Sequence, residues 1–223
     1  MPNKSLIFIM RSLNLTKTYT IMGLFFTAFG AFFFGEIILN APDSVYILTS
    51  AGFSSFGILF FATPIILLYV YDKNNGVLEY LLSLGWNQSD VFKRYLKSAL
   101  LLTSILFSGV FAVDIIVSFF AGALRTGIVT LAIIAALSFS AVSLVTIAMM
   151  AFSSLQKQRV GANSPLALTL GVVVILPTYY TPLIFSFGTS ILIDFIIAGL
   201  AGAISIMLLF LSGRLIRREK MLP

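Results

Sequence analysis

The sequence predicts an all-α polytopic membrane protein with six transmembrane helices, an interfacial helix at the N-terminus and a short cytosolic helix between the second and third crossings. Three observations predict this class. First, 59% of the 223 residues are hydrophobic and 10% are charged, with a mean hydropathy of +1.06, whereas a soluble domain carries about 25% charge. Second, the apolar runs continue for about 20 residues without alternation, the length a helix needs to cross the hydrocarbon core. A transmembrane strand would need about 10 residues, alternating. Third, six crossings place thirteen of the fourteen lysines and arginines on one side and leave Arg125 on the other, and such a bias marks the basic side as cytoplasmic.

The net charge of +6 therefore follows from membrane sidedness rather than from affinity for nucleic acid. The chain has no cysteine and no histidine, which excludes disulfides, thiol chemistry, histidine-ligated haem or zinc and a Ser/His triad. It also lacks a Gly-rich phosphate loop ending in Gly-Lys-Ser/Thr; Gly161-Ala162-Asn163-Ser164 is not one.

Residues 4–17 are too short and too polar to span. Leu6, Met10 and Leu13 recur at i, i+4 and i+7, with Lys4, Arg11 and Asn14 elsewhere on the turn. This fits a helix in the headgroup layer or an extension of the first crossing. That crossing, residues 18–39, is too long for a signal-peptide core and is read as retained. Its Gly23, Gly30 and Gly35 let a neighbouring helix approach, and Glu36 near its far end falls at headgroup depth. A turn at Asn40, Pro42 and Asp43 leads into the second crossing, residues 45–71, where Pro64 removes an amide donor and predicts a bend.

The third crossing, residues 96–121, carries Asp114 toward its far end, and the spacing to Arg125 in the next turn allows the two to pair across the bend, as an ordinary interfacial pair or as a gate or substrate contact. In the fourth, residues 127–152, Thr130, Ser138, Ser140, Ser143 and Thr146 either bond to preceding carbonyls or line a polar path. A loop with Lys157 and Arg159 follows. Over residues 166–187, Pro177 and Pro182 predict a fifth crossing broken on the outer side. The sixth, residues 190–211, carries Asp194 near its far end and Ala198 and Gly202 at close-packing spacing, ahead of Arg214, Arg217, Arg218 and Lys220. Glu36, Asp114, Arg125, Pro177, Pro182 and Asp194 are the candidate gate or outer-face residues.

The longest water-compatible stretch is 72–95. Asn75 is placed to cap a helix starting near Gly76, with Val77, Leu78, Leu81, Leu82 and Leu84 on its apolar side, Glu79 and Ser83 opposite, and Gly85 as its stop. Asn87 or Ser89 then caps a second helix with Val91, Phe92, Tyr95 and Leu96 on one side and Asp90 supporting Arg94 at i+4. Two helices joined at Gly85, the second continuous with the third crossing, make either an elbow that can pass a push into the membrane or an ordinary intracellular loop tucked under the bundle.

Asp72, Gly76, Leu78-Glu79, Leu81-Leu82, Gly85, Ser89-Asp90 and Lys93 resemble the cytosolic region of the permease subunits of ABC-2 type ATP-binding-cassette transporters. The interfacial N-terminal helix, the six crossings and the broken fifth one are similar to that family's layout. The resemblance implies a plasma-membrane pathway formed by two permeases, this chain with a second copy of itself or a homologue. It implies two cytosolic ATPase subunits, holding ATP and magnesium, that dock at Gly76, Glu79, Tyr80, Ser83 and Gly85, with Arg11 in the same zone. No cofactor is expected in this chain, which is read as a transport subunit and not as an enzyme. The sequence departs from the family pattern at Gly85, where many members have proline, and at Lys93-Arg94, where many have Gly-Lys.

Aromatic-rich crossings without a midplane charge favour export or flipping of an amphipathic or apolar substrate. A heme-exporter-like permease is a subtype, without histidine to ligate haem directly. A membrane enzyme would need a nucleophile and base, or clustered carboxylates, and the carboxylates here are scattered. A non-catalytic assembly or anchoring subunit is the remaining alternative, recognisable by stable recovery without an ATPase.

Overall fold

The structure is a computed structural model that describes residues 9, 11–12, 17–41, 44–155 and 164–215. Of the expected interfacial helix, Ile9, Arg11, Ser12 and Lys17 are described, all in helical conformation. The expectations for Lys4, Pro42, Asp43, Lys157, Arg159, Arg217, Arg218 and Lys220 lie outside the described residues.

From Lys17 onward the order is α1 Lys17–Asn40, α2 Ile47–Asn74, α3 Val77–Ser83, α4 Gln88–Phe120, α5 Leu124–Leu155, α6 Ser164–Ile175, α7 Pro177–Ile184 and α8 Phe187–Leu215. No strand occurs among the described residues. Helices α1, α2, α4, α5 and α8 are long and apolar enough to cross a membrane, which makes this a multi-pass membrane protein. Where the sequence predicts a fifth crossing, the described chain forms the two short helices α6 and α7. Pro177 has no N–H to give to the Val173 carbonyl, so the helix divides at Leu176, and the Tyr179 amide bonds the Leu176 carbonyl instead. Pro182 sits inside α7, and Pro64 inside α2, without ending either helix.

Helix α2 is the centre of the bundle: 72% of its most apolar stretch is buried, against 22–28% for α1, α4 and α8. Small residues bring its main partner close. A Cβ on Gly23 of α1 would stand 2.6 Å from the Phe61 amide nitrogen, and one on Gly57 of α2 would stand 2.8 Å from the Gly23 carbonyl oxygen. The two backbones touch at a distance that no larger residue permits. Phe29 meets Phe53 edge-on at 4.9 Å, and Tyr179 of α7 packs edge-on against Phe53 at 5.2 Å. Tyr179 also lies where a Cβ on Gly52 would be. Helix α8 packs on α5, with Ala198 and Ala201 buried and Gly202 close to Ser140. Ile21, Phe25, Phe32, Phe119, Phe120 and Phe210 are exposed along the outer faces, as side chains facing lipid tails would be.

Candidate functional site

Where α2 runs out of apolar sequence, its last turn is closed locally. The Asn75 amide side chain donates to the Tyr71 carbonyl, and the Asn75 and Gly76 backbone amides bond Tyr71 and Lys73. Asn75 thus finishes α2 and does not cap α3, correcting the sequence expectation. Gly76 stands between the two helices at φ 71°, a conformation that turns the chain and that an L side chain resists. Helix α3 then runs for seven residues.

Its end is set by Gly85. At φ 83° this residue allows its own amide to bond the Leu82 carbonyl and the Trp86 amide to bond the Leu81 carbonyl, the paired closure of a Schellman motif. Leu78 and Leu82 are buried and anchor α3; Val77 and Leu81 are half-buried. Leu84 is 57% exposed and does not belong to the buried side the sequence predicts, because it occupies the cap position after the helix has ended. Glu79, Tyr80 and Ser83 are exposed, with the Ser83 hydroxyl returned to the Tyr80 carbonyl. The free face therefore presents one carboxylate, one phenol and Leu84.

Helix α4 starts after Asn87, whose side chain makes no capping bond. Val91, Phe92 and Tyr95 are buried and Leu96 is half-buried. The guanidinium of Arg94 lies over the Trp86 ring, 3.8 Å from its centroid. A cation–π contact across the elbow thus takes the place of the predicted Asp90–Arg94 pair.

Asp72, fully buried, ties these pieces together. It accepts a hydrogen bond from the Tyr95 hydroxyl at 2.5 Å and pairs with Arg11 at 2.7 Å. The Tyr95 ring meets Tyr69 edge-on at 5.2 Å. Next to Asp72, the buried Lys73 ammonium donates to the Ser153 carbonyl at the end of α5. Two consecutive residues of α2 therefore fasten it to the N-terminal segment, α4 and α5, directly above α3. A carboxylate in this position is satisfied only by bonds from both sides, and charge-assisted bonds are the strong ones.

Of the residues implied as a docking zone, Gly76, Glu79, Tyr80, Ser83 and Gly85 lie on or beside α3, and Arg11 reaches the same end through Asp72. Sequence reasoning passed over Asp72, Lys73, Tyr95 and Trp86 as site residues. The available signal was an Asp-Lys pair placed directly after a long apolar run, where each charge needs a partner.

The other candidates lie in separate places. Glu36 is exposed and, with Ala28, Ala31, Phe32, Gly35, Leu39, Val113 and Val117, lines an open groove of about 380 Å³ between α1 and α4. Asp114 is fully buried and neither of its carboxylate oxygens has a hydrogen-bond partner among the described residues, while Arg125 is exposed. Their predicted pair does not form, because Asp114 sits six residues inside α4, about 9 Å at the helical rise, and Arg125 at the start of α5 points outward. Pro177 and Pro182 shape α7, and Asp194 is buried on α8. The hydroxyls of Thr130 and Thr146 bond carbonyls one turn back, whereas Ser138 is buried with no hydrogen-bond partner among the described residues. Comparisons with protein-family models, with curated proteins and with solved structures each return no match.

Proposed function

We propose that this chain is the membrane subunit of an ATP-driven transporter of the ABC-2 type, exporting or flipping an amphipathic or apolar substrate. The observation that carries this reading is the junction of α2, α3 and α4. A seven-residue helix is anchored by Leu78 and Leu82, keeps Glu79, Tyr80 and Ser83 in solvent, and leads through Gly85 into a 33-residue helix. A short helix gains little from standing free in water. One with a solvent-facing carboxylate and phenol and a direct connection to two long apolar helices suits the transfer of motion from a soluble partner.

In this reading two ATPase subunits dock on α3 in the cytoplasm, and ATP and magnesium belong to them. Their closure displaces α3 against the Asp72 junction and shifts the long helices between two states. A second copy of the chain or a homologue completes the pathway in the plasma membrane. Helices α6 and α7 together act as the fifth of six crossings, since their 12 and 8 residues extend about 30 Å at 1.5 Å per residue. Both termini are then cytoplasmic.

The test is Glu79→Lys, which reverses the one charge on the free face of α3. Co-purification of the ATPase with the variant is expected to fall at least about tenfold, with unchanged yield and thermal stability of the membrane subunit, equivalent to about 1.4 kcal/mol of docking energy. Undiminished co-purification removes the docking role of α3.

A further inference from the structure

Polar side chains within the bundle mostly satisfy themselves. Thr27, Thr63, Thr103, Thr146 and Ser205 each return the hydroxyl proton to the carbonyl four residues back, as hydroxyls in apolar helices do. Three side chains where α7 meets α8 do not. Ser190 and Asp194, one turn apart on the same side of α8, are 0% and 1% exposed, and Thr181 of α7 is 6% exposed. The Thr181 hydroxyl faces the Asp194 carboxyl. Beyond that approach, Ser190 Oγ, Thr181 Oγ1 and both carboxylate oxygens of Asp194 make no well-formed hydrogen bond among the described residues. Pro182 adds to this oxygen-rich neighbourhood, since it has no N–H for the Thr178 carbonyl on the same short helix.

Helix α8 packs against α5, α6 and α7. The charged or titratable side chains described on those elements are Arg125, exposed at the start of α5, and Tyr179 and Tyr180 of α7. No ion pair reaches Asp194 among the described residues. A bare carboxylate among apolar helices is unfavourable unless a proton or a positive charge joins it, and the hydroxyl oxygens gathered beside this one suit a cation. Its burial rules out a lipid headgroup or a bulky amine as that charge. The donor set, one carboxylate and hydroxyl oxygens, is hard, and its single negative charge matches a monovalent ion better than a divalent one.

We propose that Asp194, Ser190 and Thr181 form a binding site for one alkali cation, held between α7 and α8. An ion there ties the short helix after the Leu176 break to the long helix that follows it. The site stands independently of the transport reading.

Equilibrium binding of radioactive sodium to the full chain in lipid nanodiscs, with potassium and choline as competitors, tests it. The wild type is expected to bind sodium saturably, one ion per chain, with choline unable to displace it; displacement by potassium shows which alkali ion is preferred. Asp194→Asn is expected to abolish binding and Asp114→Asn to leave it intact. Ser190→Ala, which keeps the carboxylate, is expected to weaken binding roughly tenfold and covers the case in which Asp194→Asn does not fold. Absence of saturable sodium or potassium binding by the wild type, or full-strength binding by Ser190→Ala, overturns the proposal. So does an infrared band of a neutral carboxyl that persists in saturating sodium and is lost in Asp194→Asn, because a proton would then hold the cation's place.

Discussion

At the scale of single residues, Asp72 decides how the α3 end is held. The residue is fully buried, so its charge is compensated by what the fold supplies: the Tyr95 hydroxyl on one oxygen and Arg11 on the other. The Arg11 side chain is 40% exposed, so water shares in that pair, and the Tyr95 bond is the better shielded of the two. Tyr95→Phe removes this bond with little change of shape and is expected to cost about 1.5–3 kcal/mol, the range for a hydrogen bond to a charged group. Asp72→Asn and the double variant complete a cycle, read by thermal unfolding in detergent. If Tyr95 and Asp72 act through their bond, the double variant loses clearly less than the sum of the two single losses; strict additivity contradicts the shared role. The sequence identifies Asp72 as an acidic residue at the end of an apolar run, and Tyr95 as a member of a buried helix face. That the two meet across 23 positions depends on how tightly the chain turns at Gly76 and Gly85, which periodicity does not encode.

At the scale of elements, α3 is defined by its two glycines, and they differ in what they make legible. Gly85 reads as a helix stop because glycine after an apolar run commonly takes the left-handed conformation, and it does so here. Gly76 was harder to read. Asn75 carries a good capping side chain, but the left-handed glycine after it separates the helices, and its amide closes α2. Leu84 and Arg94 show the same limit: Leu84 leaves the buried side because the helix ends before it, and Arg94 takes its partner, Trp86, from across the junction, neither of which a pattern within one helix encodes. A Cβ at Gly85 would meet nothing within 4 Å, so a substitution there acts through the backbone alone. Gly85→Val is expected to lower stability by about 1–2 kcal/mol, the strain of a left-handed L-residue, and to open the peptide around Leu84–Asn87 to limited proteolysis. Gly85→Asn, which tolerates that conformation better, is expected to fall between the two. Equal stability and equal protease resistance of Gly85→Val would show that the Schellman closure contributes nothing.

At the scale of the whole molecule, the apolar runs made the all-helical membrane class and the five long helices legible, since length and hydropathy are properties of the chain itself. Which helix sits in the middle was less so. α2 and α8 are similarly apolar, and only the contacts of Gly23, Gly52 and Gly57 with neighbouring backbone and rings put α2 at the centre. The same holds for the dispersed acids: Glu36, Asp114 and Asp194 look equivalent in the sequence, and packing leaves the first exposed and buries the other two. Sidedness is the global property that the charge pattern predicts most directly. Lysines and arginines resist transfer across the bilayer, so the side of α3 is expected to stay in the cytoplasm and the α4–α5 turn to emerge opposite. The chain has no cysteine, which lets one introduced thiol report on one position. Ser83→Cys, on the exposed face of α3, is expected to react with a membrane-impermeant maleimide in inside-out vesicles and to be protected in intact cells. Arg125→Cys, exposed at the start of α5, is expected to show the reverse. In the six-crossing reading Arg125 is the one basic residue expected opposite α3, so its removal is expected to reinforce the orientation it reports. Labelling of both positions from the same side would mean that α4 does not cross, and the six-crossing topology would fall with it.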